Sequence, residues 1–242
     1  DWALLGRLIR FGLPNGVNFT LDIAGFTVFL LFIGTLGTVN LAATNIALNI
    51  NMVAFMPMLG SGIAVSVLVG QYLGKNQPHL AERSTISGFH LSFGYMLVLS
   101  SLYLAAPGWF IKPFAAKADP GSFEQIQSLV IVLLRFVAVY SLFDTLSIIF
   151  SSAVKGAGDT HFVMRVIAGA SILVLVLPSY LALKVWHLGL FAGWAIASAY
   201  VILLGVVFWL RFRQGKWKHM RVIEPNLSAV AVHRPDVPVS EF

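Results

Sequence analysis

Two aspartates sit where carboxylates are rare. Asp22 lies in "GVNFTLDIAGF" and Asp144 in "VYSLFDTLSIIF", and both stretches belong to apolar runs long enough to cross a lipid bilayer. On the insertion scale a charge at the bilayer centre costs about 2.5–3.5 kcal/mol, so an acid held there is read as functional by default. At ~1.5 Å per helical residue, Asp22 falls roughly 16 Å from the cytoplasmic start of its span and Asp144 roughly 14 Å from the cytoplasmic end of its own. Both depths are close to the middle of a core about 30 Å thick. Two acids at matched depth can share one wet cavity. The chemistry open to them is binding and release of a proton or Na⁺, because a low-dielectric site disfavours two bare negative charges side by side.

Helical spacing sorts their neighbours, since residues three, four and seven apart share a face. Around Asp22 that face carries Asn15, Asn18, Gly25 and Phe26; around Asp144 it carries Tyr140, Ser141, Ser147 and Ser151. Asn45 and Asn49, followed on the same side by Met52 and Met56, add a second amide pair. These polar stripes are expected to face the bundle interior, and Asn15, Asn18, Phe26, Asn45, Asn49, Tyr140, Ser141 and Ser147 are the candidate cavity lining. Phe26 could hold an organic cation by its ring face. Arg135, nine residues before Asp144, lies on the opposite side of the helix and is read as snorkelling outward. Gly62, Ser66 and Gly70 repeat every four residues, a small-residue face for close helix contact.

The elements that must position these groups are membrane helices. Of 242 residues, 58% are hydrophobic and only 11% charged, with mean hydropathy +0.84; a soluble domain carries about 25% charge. There is no cysteine, so disulfides, thiol nucleophiles and thiolate metal sites are excluded, and the six histidines are scattered. Six spans are expected, at 11–34, 46–70, 87–111, 127–153, 163–185 and 188–210. A segment over 1–10 reads as interfacial, with Trp2, Leu5 and Ile9 opposite Arg7 and Arg10. The basic segment from 214 to 242 reads as a largely disordered tail. Arg7, Arg10, Lys75, Arg83, Lys155, Arg165, Arg211, Arg213, Lys216, Lys218 and Arg221 fall on one side, against Lys112, Lys117 and Lys184 on the other. The positive-inside rule then places the first side, and both ends of the segment, in the cytoplasm. This accounts for the net charge of +6 without a nucleic-acid partner. The opening "DWALLGRLIRFGLP" lacks a small-residue cleavage site after a continuous apolar core and does not read as a signal peptide, and the chain, starting at Asp1, reads as a piece of something longer.

Specific motifs carry a family resemblance. "GLPNGVNFTLDIAGFTVFLLFIGTLGTVNLAATNIALNI" resembles the seventh and eighth spans of MATE (multidrug and toxic compound extrusion) transporters. "GIAVSVLVGQYLGKNQPHLAERS" is similar to the end of the eighth span and the connection after it, and "SAVKGAGDTHFVM" to the connection between spans ten and eleven. The resemblance covers about 11–213. It implies an all-α polytopic fold in which this chain is one six-helix lobe of a twelve-helix, two-lobe transporter, with the other lobe as its partner. It also implies export of small organic cations and other amphipathic compounds, driven by Na⁺ or H⁺ and without a cofactor, most commonly in the bacterial inner membrane. The family's acid in span seven falls on Asp22, where many members have Glu, and its aspartate in span ten on Asp144. A polar residue early in span eight, often Gln, falls on Asn45.

Two rival readings remain. Residues 156–159 read "GAGD", the GxGD pattern of intramembrane aspartyl proteases, with Asp144 as the partner of Asp159. The flanking Lys155, His161 and Arg165 instead place Asp159 at the interface, and 15 residues of helix would hold the two acids over ~20 Å apart. A flippase for lipid-linked sugars would share the architecture but needs basic residues to meet phosphate, whereas this interior is acidic and amide-rich.

Overall fold

The computed structural model describes residues 2–115 and 120–220; side chains at 2–11, 14, 15, 18, 115, 120–122 and 219 lie outside the described set. Apart from short turns, the described residues are helical. In chain order they form α1 (Trp2–Gly34), α2 (Thr38–Gly74), α3 (Pro78–Ala105), the short α4 (Pro107–Ala115), α5 (Pro120–Gly156), α6 (Thr160–Val185) and α7 (Leu190–Arg213), followed by a 3-10 turn at Lys216–His219. Five of these, α2, α3, α5 from Phe123, α6 and α7, are long and apolar enough to cross a membrane, and α1 contributes a shorter apolar stretch, Phe19–Gly34. The chain is a multi-pass membrane protein. Residues 2–10 join the first span without a break, since α1 is continuous from Trp2; the tail beyond 220 lies outside the described residues.

The helices start earlier than hydropathy alone suggests. α2 begins at Thr38 rather than 46, and α3 at Pro78 rather than 87. The polar residues read as loops are helical ends at the membrane surface. Asn40, for example, turns its amide onto the Leu36 carbonyl at 2.9 Å. What separates α2 from α3 is three residues, Lys75–Gln77, with Asn76 in the left-handed region (φ 59) and Pro78 opening the next helix. Asparagine tolerates that conformation, and proline suits a first helical turn. The third span stops at Ala105, before Pro107, and α4 is a separate short helix rather than its continuation to 111. Two π-helical segments, Ser171–Val176 and Leu181–Val185, interrupt α6.

α5 is the central helix, packed against α2, α3 and α7. Its inner positions, including Val130, Leu133, Leu134, Val137, Ile149 and Ala153, are fully buried. Lipid tails are as apolar as leucine, so close packing of small residues does much to hold such a bundle. The Gly62, Ser66, Gly70 face of α2 meets α5 directly. A methyl on Gly62 would strike Ile148 and Ser152, one on Gly70 would press on the Gly156 carbonyl, and one on Gly156 would run into the Ser66 backbone. α1 packs mainly on α6. At the end of α7 the chain turns back through Gly215 (φ 70) and buries Trp217, which stacks on Phe212 at 4.9 Å and donates its indole N–H to the Phe212 carbonyl at 2.8 Å.

Candidate functional site: two carboxylates between α1, α5 and α7

Asp22 lies on α1, partly buried. The Tyr200 hydroxyl on α7 donates to its Oδ1 at 3.0 Å. Tyr200 is 1% exposed, and the Phe26 ring meets it edge-on at 6.2 Å. Phe26, expected to line a cavity, thus packs one turn from the Asp22 carboxylate as a wall of the site. Asp144 on α5 is also partly buried and lies within electrostatic reach of Asp22, Tyr140 and Tyr200. Tyr200 and Asp22 are in hydrogen-bond contact, and Asp144, with Tyr140 beside it, lies within electrostatic reach of that pair.

Glycines set the spacing. Three residues after Asp22, Gly25 faces Ser171 at the first π-helical segment of α6, and a methyl there would overlap the Ser171 hydroxyl. On α7, Gly205 presses on the carbonyl of Phe143, the residue before Asp144. Each acid is thus held next to a close contact, a backbone one at Gly205 that only a hydrogen in place of a side chain permits, and one at Gly25 that a methyl would relieve only by turning the Ser171 hydroxyl aside. A rigid shell of this kind fixes the distance between two charges better than a loop does.

Around this centre α5 presents hydroxyls. Ser141 is 1% exposed and donates to the Val137 carbonyl at 2.5 Å, with Asn51 Oδ1 at 3.5 Å. Thr145 is fully buried, donating to the Ser141 carbonyl at 3.0 Å with its hydroxyl 3.2 Å from Met58 Sδ. Tyr140 and Ser147 are buried, Tyr140 with its ring 6.4 Å from Trp194. Asn45 and Asn49 take a different position. Both are exposed on α2, and Asn49 donates its amide back to the Asn45 carbonyl at 2.8 Å. The α2 amide that reaches α5 is Asn51, two residues and therefore about 200° further round the helix. Met52 and Met56 share the exposed face. The side chains of Asn15 and Asn18 lie outside the described residues. Arg135 is exposed on α5.

Sequence reasoning missed Tyr200, Asn51 and the partner of Asp159. Asp159 follows α5 after the turn at Gly158 (φ 96), and Arg211 of α7 binds its Oδ2 through both Nε at 3.0 Å and Nη2 at 2.5 Å. The Arg211 guanidinium also lies over the Phe162 ring, 4.4 Å from its centroid. The carboxylate of the GxGD pattern is committed to an ion pair, 12% exposed, so it cannot pair with Asp144 as a protease dyad. Among the described residues there is no group of three or more His, Cys, Asp or Glu that could hold a metal.

Comparison with known proteins gives the same reading. A probable multidrug resistance protein NorM of Xanthomonas campestris pv. campestris is 29% identical over 228 residues, covering 88% of this chain and 45% of the relative. A probable NorM of Rhizobium meliloti is 27% identical, covering 96% of the chain and 48% of the relative. Among solved structures, a MATE in the bent conformation superposes with TM-score 0.79 at 18% identity, over 90% of this chain and 47% of that one. An outward-facing MATE family transporter also gives 0.79, at 18% identity and with 90% and 48% covered. The chain therefore spans about half the length of the curated relatives it matches. The MatE family model matches residues 14–181, more than half of the chain, and with the shared helical fold this makes the chain a member of the MatE family.

Proposed function

We propose that the chain forms the second lobe of a cation-coupled antiporter that exports organic cations and other amphipathic drugs. Asp22 and Asp144 bind the driving Na⁺ or H⁺. The observation that carries this reading is their convergence, from α1 and α5, on one partly buried site shared with Tyr200. Bare, the two carboxylates repel; a bound cation removes that repulsion and lets α1 and α5 approach. Because Gly25 packs α1 closely on α6 and Gly205 packs α7 closely on α5, a small change in spacing passes to the neighbouring helices. Alternation between outward and inward openings then occurs against a six-helix partner lobe, with the site near the midplane. Asn45, Asn49, Met52 and Met56 on the exposed face of α2 suit the wall that meets cargo and partner lobe, methionines being adaptable at promiscuous surfaces. The setting is a bacterial inner membrane with both ends of this segment in the cytoplasm, as the distribution of Lys and Arg indicates.

The test is efflux of a fluorescent organic cation from cells carrying the complete transporter. Asp22→Asn and Asp144→Asn are each expected to abolish gradient-driven efflux at unchanged expression. Wild-type efflux in both would remove the site from the mechanism.

A further inference from the structure

Lys155 reads in the sequence as one more cytoplasmic charge, yet the fold turns it toward the site. It lies in the last turn of α5 and is partly buried. Eleven helical residues bring it to within about 20° of the Asp144 direction, and Ser151, buried, lies on the same stripe between them. The adjoining Gly156 is packed on the Ser66 backbone, which fixes the rotation of this turn. Helical Cα–Cβ bonds tilt toward the N-terminus, so a long side chain here leans into the membrane. Asp22 and Lys155 lie within electrostatic reach of one another. They do not form a contact ion pair: the two salt bridges among the described residues are Arg211–Asp159 and Lys218–Glu82. A half-buried amine thus stands at the end of α5 within electrostatic reach of Asp22.

We propose that Lys155 is a positioning residue for cation coupling, a tethered cation that offsets the charge of Asp22 when the driving cation is absent and competes with that cation when it arrives. The proposal rests on the reading of Asp22 and Asp144 as the coupling site. Its chemistry is direct. A buried carboxylate without a counter-charge is costly, and an ammonium on a four-carbon stem supplies one that can withdraw. Binding of Na⁺ or H⁺ releases Lys155, so the cation-free lobe never carries two uncompensated acids. The ammonium also lowers the site's affinity for the external cation, which makes cation release to the cytoplasm possible.

Two measurements on the complete transporter test this. In proteoliposomes, Lys155→Gln should lower the half-saturating concentration of the driving cation about tenfold, the order of size expected for a nearby unit charge at intermediate dielectric. Lys155→Arg should leave it within twofold. A slower maximal rate with unchanged half-saturation in Lys155→Gln would show a structural role and overturn the proposal. The second measurement does not depend on transport. Trinitrobenzenesulfonate labelling at Lys155, read by peptide mass against Lys75 as internal reference, should be several-fold faster in Asp22→Asn than in wild type, because the amine has then lost the carboxylate that attracts it. Equal labelling would overturn the pairing. Full gradient-driven efflux in Asp22→Asn together with faster labelling would instead remove the coupling role of Asp22 and leave the Asp22–Lys155 pairing standing.

Discussion

Tyr200 and Asp22, 178 residues apart in the chain, are joined by a 3.0 Å hydrogen bond between the phenol and Oδ1. The bond ties the first span to the last, and it is made by an acid whose other electrostatic neighbours are Asp144 and Lys155. Tyr200→Phe keeps the ring, its contact with Phe26 and its burial, and removes only the donor. A hydrogen bond to a charged group contributes about 1.5–3 kcal/mol. Losing a donor that favours the bare carboxylate should therefore tighten cation binding and lower the half-saturating concentration by about tenfold or more. Unchanged cation dependence would show that the phenol only packs.

The two acids act as a unit in the proposed site, so their losses should not add. Asp22→Asn, Asp144→Asn and the double variant are expected to show the same residual cation efflux. A double variant distinctly worse than either single would mean that each acid serves a separate site. The measurement is initial efflux rate in proteoliposomes under an imposed cation gradient.

Gly156 and Ser66 touch backbone to backbone. Gly156→Ala forces α5 away from α2 and is expected to cost about 1–3 kcal/mol, the range for an overpacked contact. Gly60→Ala, on the same helix pair but with open space around it, should be neutral or slightly stabilising through helix propensity. Thermal unfolding followed by intrinsic tryptophan fluorescence distinguishes them.

The Asp159–Arg211 pair is 12% and 15% exposed, and it closes the α5–α6 turn onto the end of α7. Arg211→Ala leaves a largely buried carboxylate without its partner and should cost about 3–5 kcal/mol. Asp159→Asn/Arg211→Gln, which removes both charges, should recover a large part of that loss. Lys cannot reproduce the two-nitrogen grip on one oxygen, so Arg211→Lys should fall between. Stability of the purified protein against heat reports all three.

The acids and the membrane fold were legible because lipid makes carboxylates conspicuous: Asp22 and Asp144 stand out wherever twenty apolar residues surround them. Tyr200 was not, because a tyrosine in an apolar helix is ordinary, and what singles it out is a partner in another span. Asn51 was passed over for Asn45 and Asn49 because all three lie within two turns of one helix. Only packing against α5 decides which side turns inward. The turns were shorter than composition implied for a related reason. Asn40 and Thr38 are polar, but a helix end at a membrane surface satisfies its own carbonyls with such side chains. Lys155 counted toward orientation, and nothing in a linear count of charges tells an ammonium facing water from one leaning inward.

The wide turns of α6 have a consequence for how one rod can serve two neighbours. A π-helical turn takes up about one residue more than an α-turn, which rotates everything beyond it by about 100°. Contact with α1 is heaviest before Ser171 and thins toward the second wide turn, while α7 is touched along the whole length. A straight α-helix would offer one stripe to a single partner along its length. This one changes phase midway, turning partly away from the helix that carries Asp22 while keeping hold of the helix that carries Tyr200.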